Sequence, residues 1–547
     1  MSGRPPDDEG PAPTSPIVPT GMRSIPRVVW IITLFHALLL SSYSILVPLY
    51  RGPDEAGHVD MVLKARHRFD YPDYDRAYYS QQVLRSRDLT LYDRGSAHLR
   101  TEEALPREAR PSFSELAPPL ATVDSRNLLA THPPLYYAGA GAVTIVLSSL
   151  TPTAEWSFDQ VVGILRLLNV LLVSGLPALA FLISRRIGWS KEVSTAAALV
   201  PLAIPMFTNI GSTVNNDNLL TLLVAVLLLF LVRVMTGDLS PRTAVLAGAA
   251  AGLALLTKGF AVAAPLWVGA AYAVAAIRGR PRDVVVRRMG LALVVAVAVG
   301  GWWWVRNVLV FDALQPGTDI DPRPPAGESF VPDGWGWARV YSLWTAQRFW
   351  GAFGALDVYL PDIAIWIASA VFLGGIILAF IWRSRSRLQL LVLMLPFLTT
   401  AAIVTYGAYG AYLRLGQPVG FHGRYFFPAL SGIAGIVALG LTRVLGRRNR
   451  LLTPSILVGA IAMQVLAIGR IVPHYWGAPA ASLAERFDSI LAWSPWPPAV
   501  VILAFVTTGL VGIWLVAEVI RGSVRDRSSD RVGHQVERGS ERDRVPS

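Results

Sequence analysis

The sequence VVWIITLFHALLLSSYSILVPLYRGPDEAGH, residues 28–58, joins an apolar run to a charged motif. Its apolar part, 28–48, is long enough to cross the hydrocarbon core of a bilayer as a helix. Directly after that run, Asp54, Glu55 and His58 bring two carboxylates and an imidazole to the membrane boundary. Charged groups are costly to desolvate there. They therefore either cap the helix exit in solvent or act at the membrane surface, with a carboxylate as a general base.

The composition indicates a membrane protein with many spans. The chain has 547 residues, of which 53% are hydrophobic and 16% charged. It contains no cysteine, which excludes disulfides, thiolate metal sites and cysteine nucleophiles. The net charge of +12 is almost wholly arginine in short loops between apolar runs, which is typical of membrane topology and not of nucleic-acid binding. The first apolar run is too long for a cleaved signal peptide, so we expect it to remain as an anchor.

The spacing of apolar runs predicts an all-α polytopic protein with about twelve transmembrane helices. With the N-terminus in the cytoplasm, the basic loops then all fall on the cytoplasmic side. A thirteenth apolar run, 134–150, would reverse every later loop if it crossed, so we expect it to be a re-entrant or interfacial helix at the outer face. The twelve predicted spans are 28–48, 163–183, 193–209, 218–235, 243–257, 259–277, 288–305, 362–382, 388–406, 426–444, 452–470 and 497–520.

Composition also divides the chain. Residues 1–21 are rich in proline and 521–547 are polar with mixed charge, so both are predicted to be disordered cytoplasmic ends flanking a membrane domain, 22–520. Within that domain we expect two large outer loops, 49–162 and the Trp-rich 306–361. The excess of arginine over lysine hints at a GC-rich bacterial genome. We expect a multi-pass protein of the bacterial inner membrane with its active site facing outside.

Several polar residues emerge on the predicted outer face. Each has an ordinary reading: Lys258 as a snorkelling lysine, Arg306 as part of an aromatic belt, and Asp217 as part of a helix cap. Three cations and several carboxylates on one face together predict a pocket that binds a phosphate and performs acid–base chemistry. The candidate binding residues are His58, His132, Tyr136, Asn216, Asp217, Lys258, Arg306, Asn307 and Arg424, beside the candidate catalytic residues Asp54 and Glu55.

Short motifs carry a family resemblance. The acidic pair, His-Pro-Pro-Leu-Tyr-Tyr (132–137) and a later Arg-Arg pair resemble the GT-C superfamily of glycosyltransferases that use polyprenyl-phosphate sugars. Five motifs in order over about 28–470 more closely resemble the bacterial membrane family DUF2142. They are Pro-Asp-Glu-x-x-His (53–58), Asn-Asn-Asp-x-Leu (215–219), Trp-x-x-x-Arg-Asn (302–307), Phe-Trp-Gly-x-Phe-Gly (349–354) and Gly-Arg-Tyr-Phe-x-Pro (423–428).

The resemblance implies an inverting glycosyltransferase that moves a sugar from a polyprenyl-phosphate donor to a glycan or glycolipid acceptor outside the membrane. Asp54 would be the base and Glu55 would support it or bind a metal. Lys258, Arg306 and Arg424 would hold the leaving phosphate. The histidines would donate hydrogen bonds and Tyr136 would stack on sugar.

No compact His/Asp ligand group is apparent in the sequence, so we predict no tightly bound cofactor and leave a divalent cation open. Two other classes stay open. A transporter of lipid-linked sugars should distribute ionisable residues through its spans. A non-catalytic factor for envelope polysaccharide assembly would keep the fold without needing Asp54. A nucleic-acid partner is not expected.

Overall fold

The computed structural model describes residues 24–67, 71, 73–74, 76–90, 105–150, 156–317, 323–382 and 387–542. Helices dominate these residues. They are α1 Arg27–Leu46, α2 Glu55–His67, α3 Gln81–Asp88, α4 Phe113–Leu116, α5 Leu135–Leu150, α6 Phe158–Ser174, α7 Leu176–Arg186, α8 Lys191–Leu199, α9 Pro205–Gly211, α10 Asn216–Met235, α11 Pro241–Leu255, α12 Ala264–Ile277, α13 Arg282–Ala296, α14 Trp302–Phe311, α15 Gly334–Trp350, α16 Asp362–Trp382, α17 Arg387–Leu415, α18 Leu430–Leu445, α19 Leu452–Tyr475, α20 Leu483–Trp493 and α21 Pro498–Arg542.

The helical, multi-pass fold class predicted from the sequence is confirmed. Within the described part of the chain, ten helical stretches are long and apolar enough to cross a membrane. Of the two other predicted spans, 193–209 is a bent pair of helices and 243–257 is the shorter apolar helix α11. The ten stretches are Arg27–Leu46, Phe158–Arg186, Asn216–Met235, Gly259–Ile277, Arg282–Phe311, Asp362–Trp382, Arg387–Leu415, Gly423–Leu445, Arg448–Tyr475 and Pro498–Ser523.

The thirteenth apolar run forms helix α5, which has 16 residues. It packs closely on α2: a Cβ at Gly141 would lie 3.1 Å from the backbone nitrogen of Arg66. Its depth in the membrane stays a prediction, as do the boundaries of the predicted terminal segments. Residues 1–23 lie outside the described residues, and α21 carries helical backbone to Arg542, into the predicted tail.

A polar contact inside the bundle holds the bent pair. The axis turns by 71° where α8 and its following 3-10 turn meet α9, which begins at Pro205. Such a break leaves backbone carbonyls without hydrogen-bond donors, and lipid chains cannot supply them. The Gln464 amide donates to the Leu202 carbonyl at 2.8 Å and to the Thr208 hydroxyl at 3.0 Å, and accepts from the Tyr43 hydroxyl at 2.6 Å. This side chain from α19 therefore stabilises the break.

The described residues of the first long loop, 49–162, pack around α2. Asp60 is fully buried and accepts from Lys64 at 2.6 Å, from the Ser80 backbone N–H at 2.8 Å and from the Asn127 amide at 2.8 Å. Because its charge is paired and its oxygens are occupied, this carboxylate can stay buried. It ties α2 to the first of the two small antiparallel sheets found among the described residues. The strands are β1 Tyr78–Ser80 with β2 Thr122–Arg126, and β3 Ala352–Phe353 with β4 Val358–Tyr359.

Two arginines of the same loop bind the last turn of α20. Arg110 pairs with the buried Asp159 at 2.5 Å and donates to the Ala492 carbonyl at 2.7 Å. Arg107 donates to the Leu491 carbonyl at 2.9 Å. The final carbonyls of a helix have no partner within it, and cations favour that end. These contacts connect the first long loop to the segment between the last two long helices.

Candidate functional site

Asp54 lies just after the end of α1, at the head of the first long loop. Its backbone φ is +61°, in the left-handed region that Asp tolerates better than most residues. Its carboxylate pairs with the Arg424 guanidinium, which also donates to the Pro53 carbonyl at 3.1 Å. The Asp54 side chain is 52% exposed, whereas that of Arg424 is 4% exposed. An accessible carboxylate is thus held against a buried cation.

Two further charges complete a group that we call the charge cluster: Asp54, Asp217, Lys258 and Arg424. Lys258 Nζ lies 2.5 Å from the Asp217 carboxylate, whose other oxygen lies 3.7 Å from Arg424 Nε. The side chains of Lys258 and Asp217 are 5% and 1% exposed. Buried charges persist when they are paired in this way. The structure therefore brings together four candidate residues that are far apart in the chain.

Local structure positions each member of the cluster. The Asn215 side chain caps α10 by accepting from the Asp217 backbone N–H at 2.8 Å, so Asp217 lies in the first helical turn. Lys258 follows the end of α11, and Arg424 lies in the 3-10 turn Gly423–Ala429 before α18. Capping and cluster membership, which the sequence left as alternatives for this turn, therefore occur together.

Aromatic rings line the cationic side of the cluster. Lys258 Nζ lies 5.2 Å from the ring centroid of Tyr425 and 5.6 Å from that of Phe260. The Arg424 guanidinium lies 5.6 Å from the Tyr425 centroid. The electron-rich ring faces stabilise these cations where water is excluded. Tyr425 thus contacts both cations of the cluster.

Three histidines surround the cluster. His58 Nδ1 lies 3.0 Å from the Tyr137 hydroxyl. Among the described residues, Nδ1 of His132 and Nδ1 of His422 have no hydrogen-bond partner. Burial, followed by the Lys258 charge, lowers the pKa of His132 to about 3; burial, followed by the Arg424 charge, lowers that of His422 to about 3. These imidazoles are therefore neutral near pH 7 and leave polar atoms available to a ligand.

The charged residues of the cluster also shift one another's pKa values. Burial would raise the pKa of Asp54, but the charge and hydrogen bond of Arg424 lower it below the usual range of a carboxyl. Burial lowers the pKa of Lys258, while its contact with Asp217 opposes that change. Asp54 is therefore ionised while Arg424 faces it.

Glu55 lies in a separate, buried network. Both of its oxygens accept from the Arg166 guanidinium, at 2.8 and 2.6 Å, and one accepts from the Val214 backbone N–H at 3.0 Å. The side chains of Glu55 and Arg166 are 0% and 1% exposed. With its oxygens occupied and no access to solvent, Glu55 is not placed for the catalytic or metal-binding role expected from the sequence. Its contacts are those of a structural anchor.

Three predicted binding residues have contacts outside the charge cluster, whereas a fourth reaches it. Arg306 pairs with Asp73 at 2.8 Å, and the Asn307 amide donates to the Leu314 carbonyl at 3.1 Å, so neither joins the charge cluster. Tyr136 is only 2% exposed and its hydroxyl accepts from the Asn169 amide at 2.8 Å, which leaves no open ring face for a sugar. Asn216 does reach the cluster, since its Oδ1 lies 3.4 Å from Lys258 Nζ.

Some site residues were not among the candidates. His422 and Tyr425 belong to the run around Gly-Arg-Tyr-Phe-x-Pro, and that motif could have indicated both. Tyr137 is in the His-Pro-Pro-Leu-Tyr-Tyr motif. Arg166 carried the plainest signal, because an arginine inside an apolar helix requires a partner.

No metal-binding group is apparent in the part of the chain that the structure describes: no three His, Asp or Glu side chains are arranged to hold an ion. The expectation of no tightly bound cofactor stays a prediction.

Fold and site together define a helical, multi-pass membrane protein with a paired-charge cluster at one end of its bundle. The chain belongs to the membrane family DUF2142, described as "Predicted membrane protein", whose pattern matches residues 37–433. That range contains Asp54, Asp217, Lys258 and Arg424. No curated protein matches the chain.

Solved structures to which the chain is similar include two of ArnT from Cupriavidus metallidurans. The apo form is 16% identical with a TM-score of 0.39, and the alignment covers 89% of this chain and 77% of that one. The form bound to undecaprenyl phosphate is also 16% identical, with a TM-score of 0.37 and coverages of 90% and 78%. The apo oligosaccharyltransferase of Archaeoglobus fulgidus is 14% identical, with a TM-score of 0.43; the alignment covers 86% of this chain but only 60% of that enzyme.

Proposed function

We propose that this protein is an inverting membrane glycosyltransferase. It moves a sugar from a polyprenyl-phosphate donor to a glycan or glycolipid acceptor during assembly of the cell envelope. The observation that carries the proposal is the half-exposed carboxylate of Asp54 held directly against the buried cation Arg424. A base for an acceptor hydroxyl and a cation for a leaving phosphate thus lie side by side. The acidic pair, the His-Pro-Pro-Leu-Tyr-Tyr motif and the later Arg-Arg pair, which resemble those of the GT-C superfamily, support the same assignment.

The proposed reaction assigns each group a task. Asp54 accepts the proton of the acceptor hydroxyl while that oxygen attacks the anomeric carbon. The bond between this carbon and the phosphate oxygen breaks, and the lipid phosphate leaves with the electron pair. Lys258 and Arg424 stabilise the charge that develops on it. Nδ1 of His132 and of His422, which lack a partner among the described residues, are available to hydrogen-bond the sugar or phosphate.

The ion pair between Asp54 and Arg424 implies that the donor binds before the acceptor reacts. While Arg424 faces Asp54, the lowered pKa makes this carboxylate a weak base. A donor phosphate attracts the same guanidinium, since arginine binds phosphate strongly. When Arg424 turns toward the phosphate, Asp54 loses its nearest cation and becomes more basic. The donor thereby activates the base before the acceptor reacts.

The decisive experiment compares Asp54→Asn with Asp124→Asn. Asp124 lies exposed on β2 in the same long loop, so its substitution removes an equal charge away from the cluster. Membranes containing each variant are supplied with radiolabelled polyprenyl-phosphate sugars and assayed for consumption of the donor. We expect Asp54→Asn to lose at least about a hundredfold in rate and Asp124→Asn to retain wild-type activity. Equal rates for wild type and Asp54→Asn would remove Asp54 as the base.

A second measurement tests the phosphate contacts. Lys258→Ala and Arg424→Ala should weaken binding of the donor, whereas Arg306→Ala should not, because Arg306 pairs with Asp73 outside the cluster. Binding is followed by titrating purified protein with polyprenyl phosphate. Unchanged affinity in both cluster variants would contradict the phosphate site.

The orientation that this function requires is also open to test. We propose a bacterial inner-membrane protein with cytoplasmic termini and a site that faces outward. Because the chain has no cysteine, a single introduced thiol reports its own location. In intact cells, Asp124→Cys should react with an impermeant thiol reagent and Arg282→Cys should react only after permeabilisation. The reverse pattern would overturn the topology.

A further inference from the structure

A polar cavity lies at the opposite end of the bundle from the charge cluster. Helix α1 connects the two ends, since it begins at Arg27 beside this cavity and ends shortly before Asp54. The cavity measures about 470 Å³. Four cations and two carboxylates line it: Arg27, Lys191, Arg450, Arg521, Glu192 and Glu518. The excess of cations favours an anionic occupant.

Backbone groups add to this positive potential. Three helices, α1, α8 and α19, begin at the cavity. The first N–H groups of a helix lack partners within it and attract anions. No side chain caps the start of α1 at Pro26, whereas Ser190 caps α8 and the Leu452 N–H of α19 donates to the Asn449 carbonyl of the preceding 3-10 turn. Side-chain cations and the uncapped start of α1 therefore face the same space.

An apolar groove continues from this cavity toward the middle of the bundle. It measures about 590 Å³ and lies between α1, α19 and α21. The two spaces adjoin on α21 and α19. On α21 the groove ends at Ile520 and the cavity includes Arg521, and on α19 Thr453 of the cavity lies one turn from Leu457 of the groove. Gly509 lines the groove, and nothing lies within 4 Å of where its Cβ would be.

We infer that the cavity and groove together form a binding site for an anionic glycerophospholipid from the leaflet at this end of the protein. The phosphate and its glycerol occupy the cationic cavity, and one acyl chain lies in the groove between α1, α19 and α21. Basic pockets between membrane helices suit such headgroups. A soluble anion would use the cavity but leave the groove without a function. This site is separate from the charge cluster, and its existence does not depend on the proposed transfer reaction.

The full-length protein in detergent can be tested by native mass spectrometry. Phosphatidylglycerol is compared with phosphatidylcholine of the same acyl chains, and we expect phosphatidylglycerol to bind more tightly. Two competitors identify the source of the anion. Inorganic phosphate should fail to displace the lipid at equal concentration, and so should polyprenyl phosphate. Equal binding of the two phospholipids, or displacement by either competitor, would overturn the assignment.

Charge variants locate the headgroup. Lys191→Ala with Arg450→Ala removes two cavity cations, and Arg242→Ala with Arg282→Ala removes two exposed arginines elsewhere on the predicted cytoplasmic face. A basic residue near an anionic lipid surface changes affinity roughly fivefold. We expect the cavity pair to weaken binding of phosphatidylglycerol roughly 25-fold relative to the control pair. The same loss in both pairs would indicate general charge attraction and no site.

The groove has its own matched pair of variants. Gly509→Leu fills the groove that we assign to the acyl chain, whereas Gly459→Leu fills a different apolar groove between α16, α18 and α19. Neither new Cβ meets an atom within 4 Å, so both proteins should fold. We expect only Gly509→Leu to reduce binding of phosphatidylglycerol. Unchanged binding in this variant would show that the acyl chain lies elsewhere and would contradict the two-part site.

Discussion

Replacing Arg166 with alanine should destabilise the protein far more than replacing an arginine at its surface. The Arg166 guanidinium makes two hydrogen bonds to Glu55 and donates to the carbonyls of Ser44, Val47 and Pro48 at 2.6–2.8 Å. Alanine would leave Glu55 buried with no cation beside it. Breaking a buried ion pair in this way costs about 3–5 kcal/mol.

Arg306→Ala serves as the comparison. Arg306 also pairs with a carboxylate, Asp73, but their side chains are 32% and 38% exposed. Ion pairs this open to solvent contribute about 0–1 kcal/mol. Thermal unfolding of both variants in the same detergent is followed by tryptophan fluorescence. The melting temperature of Arg166→Ala should therefore be clearly lower than that of Arg306→Ala. Gel filtration before heating confirms that each variant is monodisperse.

A double variant sharpens the test. Glu55→Leu combined with Arg166→Met removes both charges, so neither is left buried without a partner. The double variant should lose less free energy of unfolding than Glu55→Leu and Arg166→Met lose in sum. The difference, the coupling energy, should be about 0.5–3 kcal/mol. Equal destabilisation by Arg166→Ala and Arg306→Ala, or strict additivity in the double variant, would refute the reasoning.

Two further predictions follow from burial and from helix contact. The pKa of His132 is lowered to about 3, so the unfolded chain binds a proton at higher pH than the folded one and stability should fall as pH drops below about 6.5. His132→Asn should remove about 1–2 kcal/mol of the loss between neutral pH and about pH 5, and identical pH profiles would contradict this. At Gly440, a Cβ would lie 1.8 Å from the Gly375 carbonyl oxygen, whereas at Gly459 nothing lies within 4 Å. Gly440→Ala should therefore separate α16 from α18 and lower the melting temperature, with Gly459→Ala near wild type; equal melting temperatures would be inconsistent with this packing.

The sequence predicted the spans well because each one is a local property. Twenty apolar residues cross a membrane whatever their neighbours do. It also brought Asp54, Lys258 and Arg424 to one site, because the count of basic loops placed all three at the same end of the bundle. Helix ends that are distant in the chain can be assigned to one face without knowing which helices are adjacent.

The sequence could not show which charged residues pair with one another. Glu55 follows Asp54 directly, and nothing local shows that one carboxylate faces solvent while its neighbour turns inward. The structure decides this through Arg166, which is 111 residues from Glu55 in the chain. For the same reason, the sequence does not show that Arg306, which lies within α14, pairs with Asp73.

The hydrogen bonds between Arg110 and the last turn of α20 have a consequence for biosynthesis. Arg110 is separated by 383 residues from one of the carbonyls that it binds. At ribosomal rates of about 5–20 residues per second, that partner is synthesised roughly 20–80 s after the arginine. During this interval the first long loop has left the ribosome but lacks the contact that fastens it, together with the buried Asp159, to the rest of the protein. The contact between Arg110 and α20 thus forms late in assembly. We expect nascent chains that stop before α20 to expose the loop to proteases and chaperones.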